Sequence, residues 1–381
     1  LRRQRQMCIR VSIHPLIIPA SVTNGTGLMN PSVYNDNGKI IVNLRHVNYT
    51  FYHSEKKTFQ HQWGPLTYVH PENDMHLRTT NYYLEMDDDL NISRYNKIDT
   101  TKLDKEPLWD FVGLEDSRIF RWEGDLYISG VRRDTTENGQ GRMELSKIEV
   151  TEDAVKEVSR VRIDPPKDPN SYCEKNWMAI IDMPWHYVKW SNPTEVVKVD
   201  PITGKSTTTH LTDMVSIPRD VRGGSHVIPM DFGQAGDENY HFALTHEVDL
   251  FDSEVGRKDG LYKHRFLVWN KAWQCCAFSR DFSFMDAHVE FCTGMCYYKG
   301  DLLMTFGFQD NAAYLLRVSP KVVEDFIYGK YDEKKNPPCC RLQYALYGHP
   351  KAGAFWEKYA EAHIEKIGFK RLGSNWSSLF Y

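Results

Sequence analysis

The sequence predicts an all-β fold, a five-bladed β-propeller that ends in a short α-helical C-terminal tail. Short alternating runs rich in Val, Ile, Tyr, Phe and Trp are cut by turns of Gly, Asn and Asp, as in β-strands. Long helical periodicity is missing until the end of the chain. A diverged unit also recurs, made of a polar entry motif, a strand, a turn and a second strand. The alternative fold is a β-sandwich, but sandwich strands need not resemble each other.

The repeated unit occurs five times. Its copies begin at Asn30, Leu114, Glu174, Arg222 and Val289. The sequence therefore divides into a lead-in at 1–28, a propeller at 29–320, a linker at 321–340 and a separate fragment at 341–381. Because the first strand of each blade lines the axis, we expect the entry motifs to converge on one central funnel.

Composition narrows the classes of partner. The chain has 381 residues, a net charge of −4 and 41% hydrophobic residues, which allows a large core and gives no support for a nucleic-acid or membrane-surface partner. No apolar run is long enough to cross a bilayer. The eight cysteines lack zinc-type spacing, so no metal is expected and the thiols are interpreted as reduced residues of an intracellular protein.

The strongest chemical motif is Leu-Glu-Asp-Ser-Arg at 114–118. Glu115, Asp116 and Arg118 could supply a general acid whose charge state the arginine controls, or an ion pair that braces two blades. Both interpretations remain open from residue types alone.

Three weaker motifs follow in the chain. Lys175 and Asn176, beside a tryptophan, suit a hydroxylated ring or a phosphate, although the residues alone slightly favour a buried tryptophan with a salt bridge beside it. Arg222 precedes two glycines, which indicates an anion site or a simple turn. His246 and Arg265 lie beside further charged residues without metal-ligand spacing, so structural histidines are favoured.

The order of these motifs resembles a known family. Residues 113–118, 175–177, 222–225, 245–247 and 290–294 occur in the order found in glycoside hydrolase family 130, five-bladed propellers that phosphorolyse or hydrolyse β-mannosides. Further marks at 30–32, Arg45, 48–49 and 262–266 are more similar still to propeller domains attached to glycosyltransferases.

The resemblance implies one catalytic carboxylate, Asp116, acting as general acid through a sugar hydroxyl. It implies no cofactor, with inorganic phosphate as a co-substrate in the phosphorylases, and an oligosaccharide or glycan partner beside a glycosyltransferase domain. The expected substrate- or phosphate-binding residues are Arg45, Glu115, Arg118, Arg132, Arg133, Lys175, Asn176, Arg222, His246, Arg265, Glu290 and Asp310.

At two points the sequence departs from the family pattern, and these departures bear on whether the chain shares the family's catalytic activity. Ser117 stands where the family usually has proline, and the segment between Asp116 and Lys175, which would carry the phosphate arginines, is short. Glycan binding without turnover is therefore kept as an alternative to phosphorolysis and hydrolysis.

Residues 341–381 resemble a piece of the reverse transcriptase of Ty1/copia-type retrotransposons, around Leu-Tyr-Gly at 346–348. The polymerase needs a downstream aspartate pair for its metals, and none follows in this sequence. We interpret the segment as an inactive retroelement remnant or a gene-model join. A retrotransposon-derived protein is therefore the third functional hypothesis.

Overall fold

The computed structural model describes residues 11–329, except residues 25, 52–58, 62–63, 67, 70–75, 216, 218–219 and 253–257. The described chain is almost entirely β-sheet, and its blades follow one another along the sequence, which confirms the predicted five-bladed propeller. None of its described helices is long and apolar enough to span a membrane.

The described part of the chain begins with a strand and one helical turn, and then forms blade one. The strand β1 is Ser12–Pro15 and the helix α1 is Ala20–Thr23. Blade one consists of β2 (Leu28–Asp36), β3 (Lys39–Val47), β8 (Leu77–Met86) and β9 (Ile92–Asp99). Two small hairpins interrupt it, formed by β4 (Thr50–Phe51) with β7 (Tyr68–Val69) and by β5 (Phe59–His61) with β6 (Gly64–Leu66).

Blades two and three are regular antiparallel meanders. After β10 (Phe111–Val112), blade two contains β11 (Leu114–Trp122), β12 (Asp125–Arg132), β13 (Arg142–Val150) and β14 (Val155–Arg162). Its outer strand β14 also pairs in parallel with β9, which joins blades one and two at their rim. Blade three contains β15 (Met178–Ala179), β16 (His186–Ser191), β17 (Thr194–Val199) and β18 (Ser206–Leu211).

Blades four and five complete the ring. Blade four contains β19 (Ile228–Pro229), β20 (Tyr240–Asp252), β21 (Lys258–Asn270) and β22 (Cys275–Phe278), with a 3-10 turn at Asp237–Asn239. Blade five contains β23 (Glu290–Tyr298), β24 (Asp301–Phe308) and β25 (Ala312–Val318). The helix α2, Pro320–Ile327, follows.

The N-terminal strand closes the propeller. β1 pairs with β25, Ser12 opposite Arg317 and Pro15 opposite Tyr314, so it is the outer strand of blade five. This corrects the expectation that residues 1–28 are only a lead-in. The physical consequence is that backbone hydrogen bonds join the two ends of the described propeller, because β1 and β25 are far apart in sequence.

The segment expected as a linker at 321–340 also begins with regular structure. The helix α2 starts at Pro320, which lacks the N–H that a first helical turn cannot use, and buries Val323 and Ile327 against blades four and five. The remaining part of the linker and the fragment at 341–381 lie outside the described residues, so the division near residue 340 stays a prediction.

Burial explains why the inner blade strands do not show simple alternation. In β3, Ile40, Val42 and Leu44 pack on one face while Ile41 packs on the other, because each blade is covered by a neighbour on both sides. Hydroxyl groups near the axis link the blades. The Ile119 amide donates to Ser32 Oγ over 3.2 Å, and the Val33 amide donates to Thr305 Oγ1 over 3.1 Å.

Candidate functional site

A cavity of about 380 Å³ lies where the inner strands of the five blades converge. Its lining is Met29, Asn30, Arg45, Tyr49, Glu115, Asp116, Lys175, Asn176, Arg222, His246, Val248, Leu250, Tyr262, Val289, Phe291 and Asp310. We call it the axial cavity. Eight of the thirteen predicted site residues line it, namely Arg45, Glu115, Asp116, Lys175, Asn176, Arg222, His246 and Asp310.

The entry motifs reach the axial cavity through the same local backbone feature. Asn30, Asp116 and Asn176 have φ angles of 44°, 48° and 60°, in the left-handed region that Asn and Asp adopt more readily than most other residues. In blades one and two the ladder shifts register at this point. Such a bulge re-aims side chains, so three blades present a polar group to the axis by one device.

Asp116 is held by donors from blade one. Its Oδ1 accepts a hydrogen bond from Asn30 Nδ2 over 2.7 Å and from an Arg45 guanidinium nitrogen over 2.7 Å. The second terminal nitrogen of Arg45 lies 3.2 Å from Glu115 Oε2, and its Nε donates to Thr79 Oγ1 over 3.1 Å. Arg45 thus bridges two adjacent carboxylates, and only 6% of its side chain is exposed.

The two carboxylates differ in their proton affinity. Burial raises the pKa of Glu115 and the neighbouring Asp116 charge adds to this, so Arg45 only partly offsets the increase. Burial would also raise the pKa of Asp116, but Arg45 and the Asn30 amide outweigh it and hold that pKa below its usual value. The same site therefore raises the proton affinity of one carboxylate and lowers that of its neighbour.

The cations of the axial cavity differ in their engagement. Arg45 is bound to carboxylates, and Arg222 lies 3.3 Å from the exposed Asp220. The Lys175 ammonium, on an exposed side chain, makes no hydrogen bond or ion pair with any described residue, so it is available to a ligand.

An aromatic wall faces these charges from blades four and five. His246 stacks on Tyr262 with ring centroids 5.8 Å apart and meets the edge of Phe291 at 4.7 Å. Its Nδ1 lies 2.9 Å from the Gly223 carbonyl oxygen, which can only accept, so Nδ1 carries a proton. Burial, together with nearby positive charge, holds the pKa of His246 well below its usual value, which leaves Nε2 as a neutral acceptor.

Two predicted arginines do not line the axial cavity because carbonyl oxygens hold them elsewhere. Arg118 donates to the Gly224 carbonyl over 3.0 Å and 2.8 Å, which ties blade two to the entry segment of blade four. Arg133 donates to the Gly139 carbonyl over 3.0 Å and to the Tyr172 hydroxyl over 2.9 Å. Arg118 therefore braces these segments through carbonyl oxygens, and not through the ion pair that was the structural alternative for this motif.

The remaining three predicted residues also have structural partners. Arg132 pairs with Glu144 at 2.7 Å, and Arg265 pairs with Glu247 at 2.8 Å. Glu290 accepts backbone hydrogen bonds from residues 284, 285 and 287, and so organises a turn. None of the three faces the axial cavity.

Several lining residues were not among the predicted site residues. Asn30, Tyr49 and Tyr262 belong to motifs that mark the family resemblance, but their chemistry was not assigned from sequence. Phe291 directly follows Glu290, and its burial among aromatic rings could not be predicted without the packing of blade four.

Metal binding finds no support in the described part of the chain, where no three His, Cys, Asp or Glu residues are grouped as ligands. The polar groups of the axial cavity are amides, ring groups and carboxylates, and arginine already binds two of these carboxylates. Their chemistry suits hydroxyl groups and an anion.

No family model and no curated protein matches the sequence. The fold is similar to that of the β-1,2-mannobiose phosphorylase from Listeria innocua, at 11% identity and a TM-score of 0.51, over 84% of this chain and 100% of that chain. It is also similar to a glycosyl hydrolase from Bacteroides ovatus, at 14% identity and a TM-score of 0.50, over 78% of this chain and 85% of that chain. At these identities the likeness establishes the propeller fold.

The reverse-transcriptase-like segment at 341–381 lies outside the described residues, and it finds no support among the similar proteins. The propeller itself is the part of the chain for which sequence, topology and solved structures agree.

Proposed function

We propose that this chain is a carbohydrate-active propeller that cleaves β-mannoside-type glycosides with Asp116 as its general acid. One observation carries the proposal: the motif that resembles the family's catalytic motif lies on the axial cavity, with Asp116 held between Asn30 and Arg45. The similarity to a mannobiose phosphorylase and a glycosyl hydrolase supports the same class of substrate.

The axial cavity suits a short oligosaccharide. Its volume of about 380 Å³ falls in the usual range of small-ligand sites. Tyr262 and Phe291 offer apolar ring faces, while Asn176 and the Nε2 of His246 offer hydrogen bonds to hydroxyl groups. Aromatic faces combined with directed polar groups match a sugar ring, which has a C–H face and a hydroxyl rim.

The chemistry requires one proton and one nucleophile. As the glycosidic C–O bond breaks, the leaving oxygen takes a proton from Asp116, directly or through a substrate hydroxyl. Water or phosphate forms the new bond to the anomeric carbon and returns one proton to the site. The products are two sugars, or one sugar and a sugar phosphate.

The positions of the arginines favour water over phosphate as the nucleophile. Arg118, Arg132 and Arg133 were expected to include phosphate ligands, but all three are engaged away from the axial cavity. The cations that remain are Arg45, Lys175 and Arg222, set against Glu115, Asp116 and Asp310. We therefore expect hydrolysis to exceed phosphorolysis.

The experiment incubates the protein with β-mannobiose and a panel of β-mannosides, with and without phosphate. We expect turnover without phosphate, and a loss on the order of 10²-fold or more in Asp116→Asn. The matched control is Asp125→Asn, a carboxylate at a blade-two turn that pairs with Lys147. Equal turnover by wild type and Asp116→Asn, or none on any substrate, would overturn the enzymatic proposal.

A second candidate is glycan binding without turnover, as the accessory of a glycosyltransferase domain. It is favoured by the lowered pKa of Asp116, which makes this group a poorer acid carrier at neutral pH. It is also favoured by Ser117, which is buried and hydrogen-bonded to Asn81 at 2.9 Å where the family usually has proline. Binding of β-mannobiose by calorimetry, with no product after long incubation, would select this candidate. The retrotransposon hypothesis is tested separately, by sequencing a longer transcript for an aspartate pair.

A further inference from the structure

Glu115 and Asp116 share one cation at the floor of the axial cavity. Arg45 contacts Oε2 of Glu115 at 3.2 Å and Oδ1 of Asp116 at 2.7 Å. One guanidinium balances one negative charge, and both carboxylates are largely buried, with 17% and 16% of their side chains exposed. Two like charges this close are costly to maintain, so the pair favours the uptake of one proton.

The hydrogen bonds around the pair are unequal. Asp116 Oδ1 accepts from both Asn30 and Arg45. Glu115 Oε1 is buried and has no hydrogen-bond partner among the described residues. A buried carboxylate oxygen without a donor is destabilised far more when charged than when protonated, so the proton belongs on Glu115.

The other charges around Glu115 do not reverse this assignment. Tyr49 is kept neutral, because burial raises its pKa above the usual value. Arg133 and Lys175 lower the pKa of Glu115, but less than burial raises it, and Arg133 is engaged by Gly139 and Tyr172.

We propose that Glu115 holds the single proton of the Glu115–Asp116 pair in the ligand-free site and is the reservoir for the proton that Asp116 delivers. The role of Glu115 as a proton reservoir rests on the proposed glycoside cleavage, whereas its protonation in the ligand-free site does not. Glu115 is then a positioning residue, which decides whether the pair carries a proton, while Asp116 is the group that meets the substrate.

The proton balance is closed in one turnover. Glu115 gives up its proton within the pair, Asp116 passes a proton to the leaving oxygen, and the glycosidic C–O bond breaks. The water or hydrogen phosphate that bonds to the anomeric carbon loses one proton, which restores the neutral Glu115. No oxidant, metal or other reactant is needed.

Protonation is tested without any activity, by carbon NMR of protein with ¹³C-labelled glutamate side-chain carboxyls. The Glu115 signal is assigned by its absence from Glu115→Gln. We expect it to titrate above the ordinary glutamate range, and to move to lower pH by about one unit or more in Asp116→Asn, where the neighbouring charge is gone and Arg45 remains. Glu149→Gln, at an exposed position of β13, should leave the signal unchanged.

An ordinary midpoint for Glu115 in wild type, or an unchanged midpoint in Asp116→Asn, would overturn the proposal. Asp116→Asn retains Glu115, so where Glu115→Gln fails to fold, the Glu115 signal is identified instead as the glutamate signal that moves in Asp116→Asn, and the absence of any moving signal would overturn the proposal. Absence of glycoside turnover would sink the proposed function and leave the NMR midpoint as it is, so the two failures are distinguishable.

In an active protein the pH profile adds a second readout. Without the Glu115 proton, the basic limb of kcat/KM reports the ionisation of Asp116 alone, which Arg45 moves to lower pH, so the limb should move down by about one unit in Glu115→Gln. A merely structural role would lower the whole profile without moving its limb, and that outcome would also count against the proposal.

Discussion

The axial cavity and a second cavity between blades one and two differ in how their charges are satisfied. The second, which we call the lateral cavity, has a volume of about 610 Å³ against about 380 Å³ for the axial one. Its Glu144 is met by Arg132 at 2.7 Å, Arg162 at 3.5 Å and Arg160 at 4.0 Å.

In the axial cavity, by contrast, Lys175 has no partner among the described residues and Glu115 Oε1 has no donor. The larger cavity thus pairs its Glu144 carboxylate with three arginines and leaves one guanidinium nitrogen, Arg162 Nη1, without a hydrogen bond among the described residues. The smaller cavity leaves both a carboxylate oxygen and an ammonium group unmet by the described residues. Unmet polar groups cost stability, so they are better evidence of a ligand site than volume is. The two cavities meet at Thr79, which lines the lateral cavity and bonds Arg45 of the axial one.

The largest expected effect separates stability from function in the lateral cavity. Glu144→Ala removes the carboxylate that three arginines share and should lower the free energy of unfolding by about 3–5 kcal/mol. Arg162 then has no ion-pair partner among the described residues, and the buried Arg132 keeps only Asp134 at 3.3 Å. Chemical denaturation measures the loss of stability. Glu149→Ala, exposed on the same strand, should change stability by less than about 0.5 kcal/mol. A Glu144→Ala protein that is fully stable but cannot bind a glycoside would show that the lateral cavity, and not the axial one, is the ligand site.

The next effect concerns acid stability and comes from three buried histidines, of which His246 lines the axial cavity. Burial lowers the pKa of His226 and His264 to about 3 and that of His246 well below its usual value. In the unfolded chain histidine binds a proton near pH 6.5. The unfolded state therefore gains protons that the folded state refuses, so this stability is complete above about pH 6.5 and is lost progressively as the pH falls below it.

We expect a loss on the order of 1–2 kcal/mol per histidine between about pH 7 and pH 5. Chemical denaturation at both pH values measures this loss. In His246→Gln, the stability lost between the two pH values should be smaller by the contribution of one histidine. The lateral cavity is lined by no histidine among the described residues, so Arg132 variants should keep the full pH dependence. An unchanged pH dependence in His246→Gln would contradict the assignment.

A smaller effect tests the unpaired cation. Lys175→Met should weaken binding of inorganic phosphate or an anionic sugar about tenfold, because a charge-assisted hydrogen bond is lost, and should leave the melting temperature unchanged. Lys97→Met is the matched control, an exposed lysine that lines the lateral cavity. Titration calorimetry measures both. If anion binding weakens equally in the two variants, Lys175 contributes no more to binding than an exposed lysine outside the axial cavity.

The smallest effect tests the boundary between the cavities. Thr79→Val keeps the shape of the side chain and removes the acceptor of Arg45 Nε, so the hold of Arg45 on Asp116 should loosen by about 1 kcal/mol. Activity or sugar affinity should fall several-fold. In the control Thr80→Val, at the next residue on β8, activity or sugar affinity should fall by less than about twofold. A larger loss in Thr80→Val would show that Arg45 is held by other means.

The sequence by itself determined the repeating architecture and the centre of the site. Five similar entry motifs require five similar environments, and a ring of blades provides them. The positions of Asp116, Arg45, Lys175 and Asn176 in the repeat are therefore enough to predict that they lie together at the axis. The closing strand β1 could not be recognised as part of a blade, because its partner β25 lies at the other end of the described chain.

Only the tertiary structure decided which charged residues face the axial cavity. Arg132 and Arg133 follow one another at the end of a strand, yet Arg132 turns to Glu144 on β13 and Arg133 to the segment around Tyr172. Arg118 stands two residues from Asp116, but the bulge between them sends it to the Gly224 carbonyl. The direction of a long side chain depends on partners that are remote in sequence, so residue type and position in the repeat could not predict it.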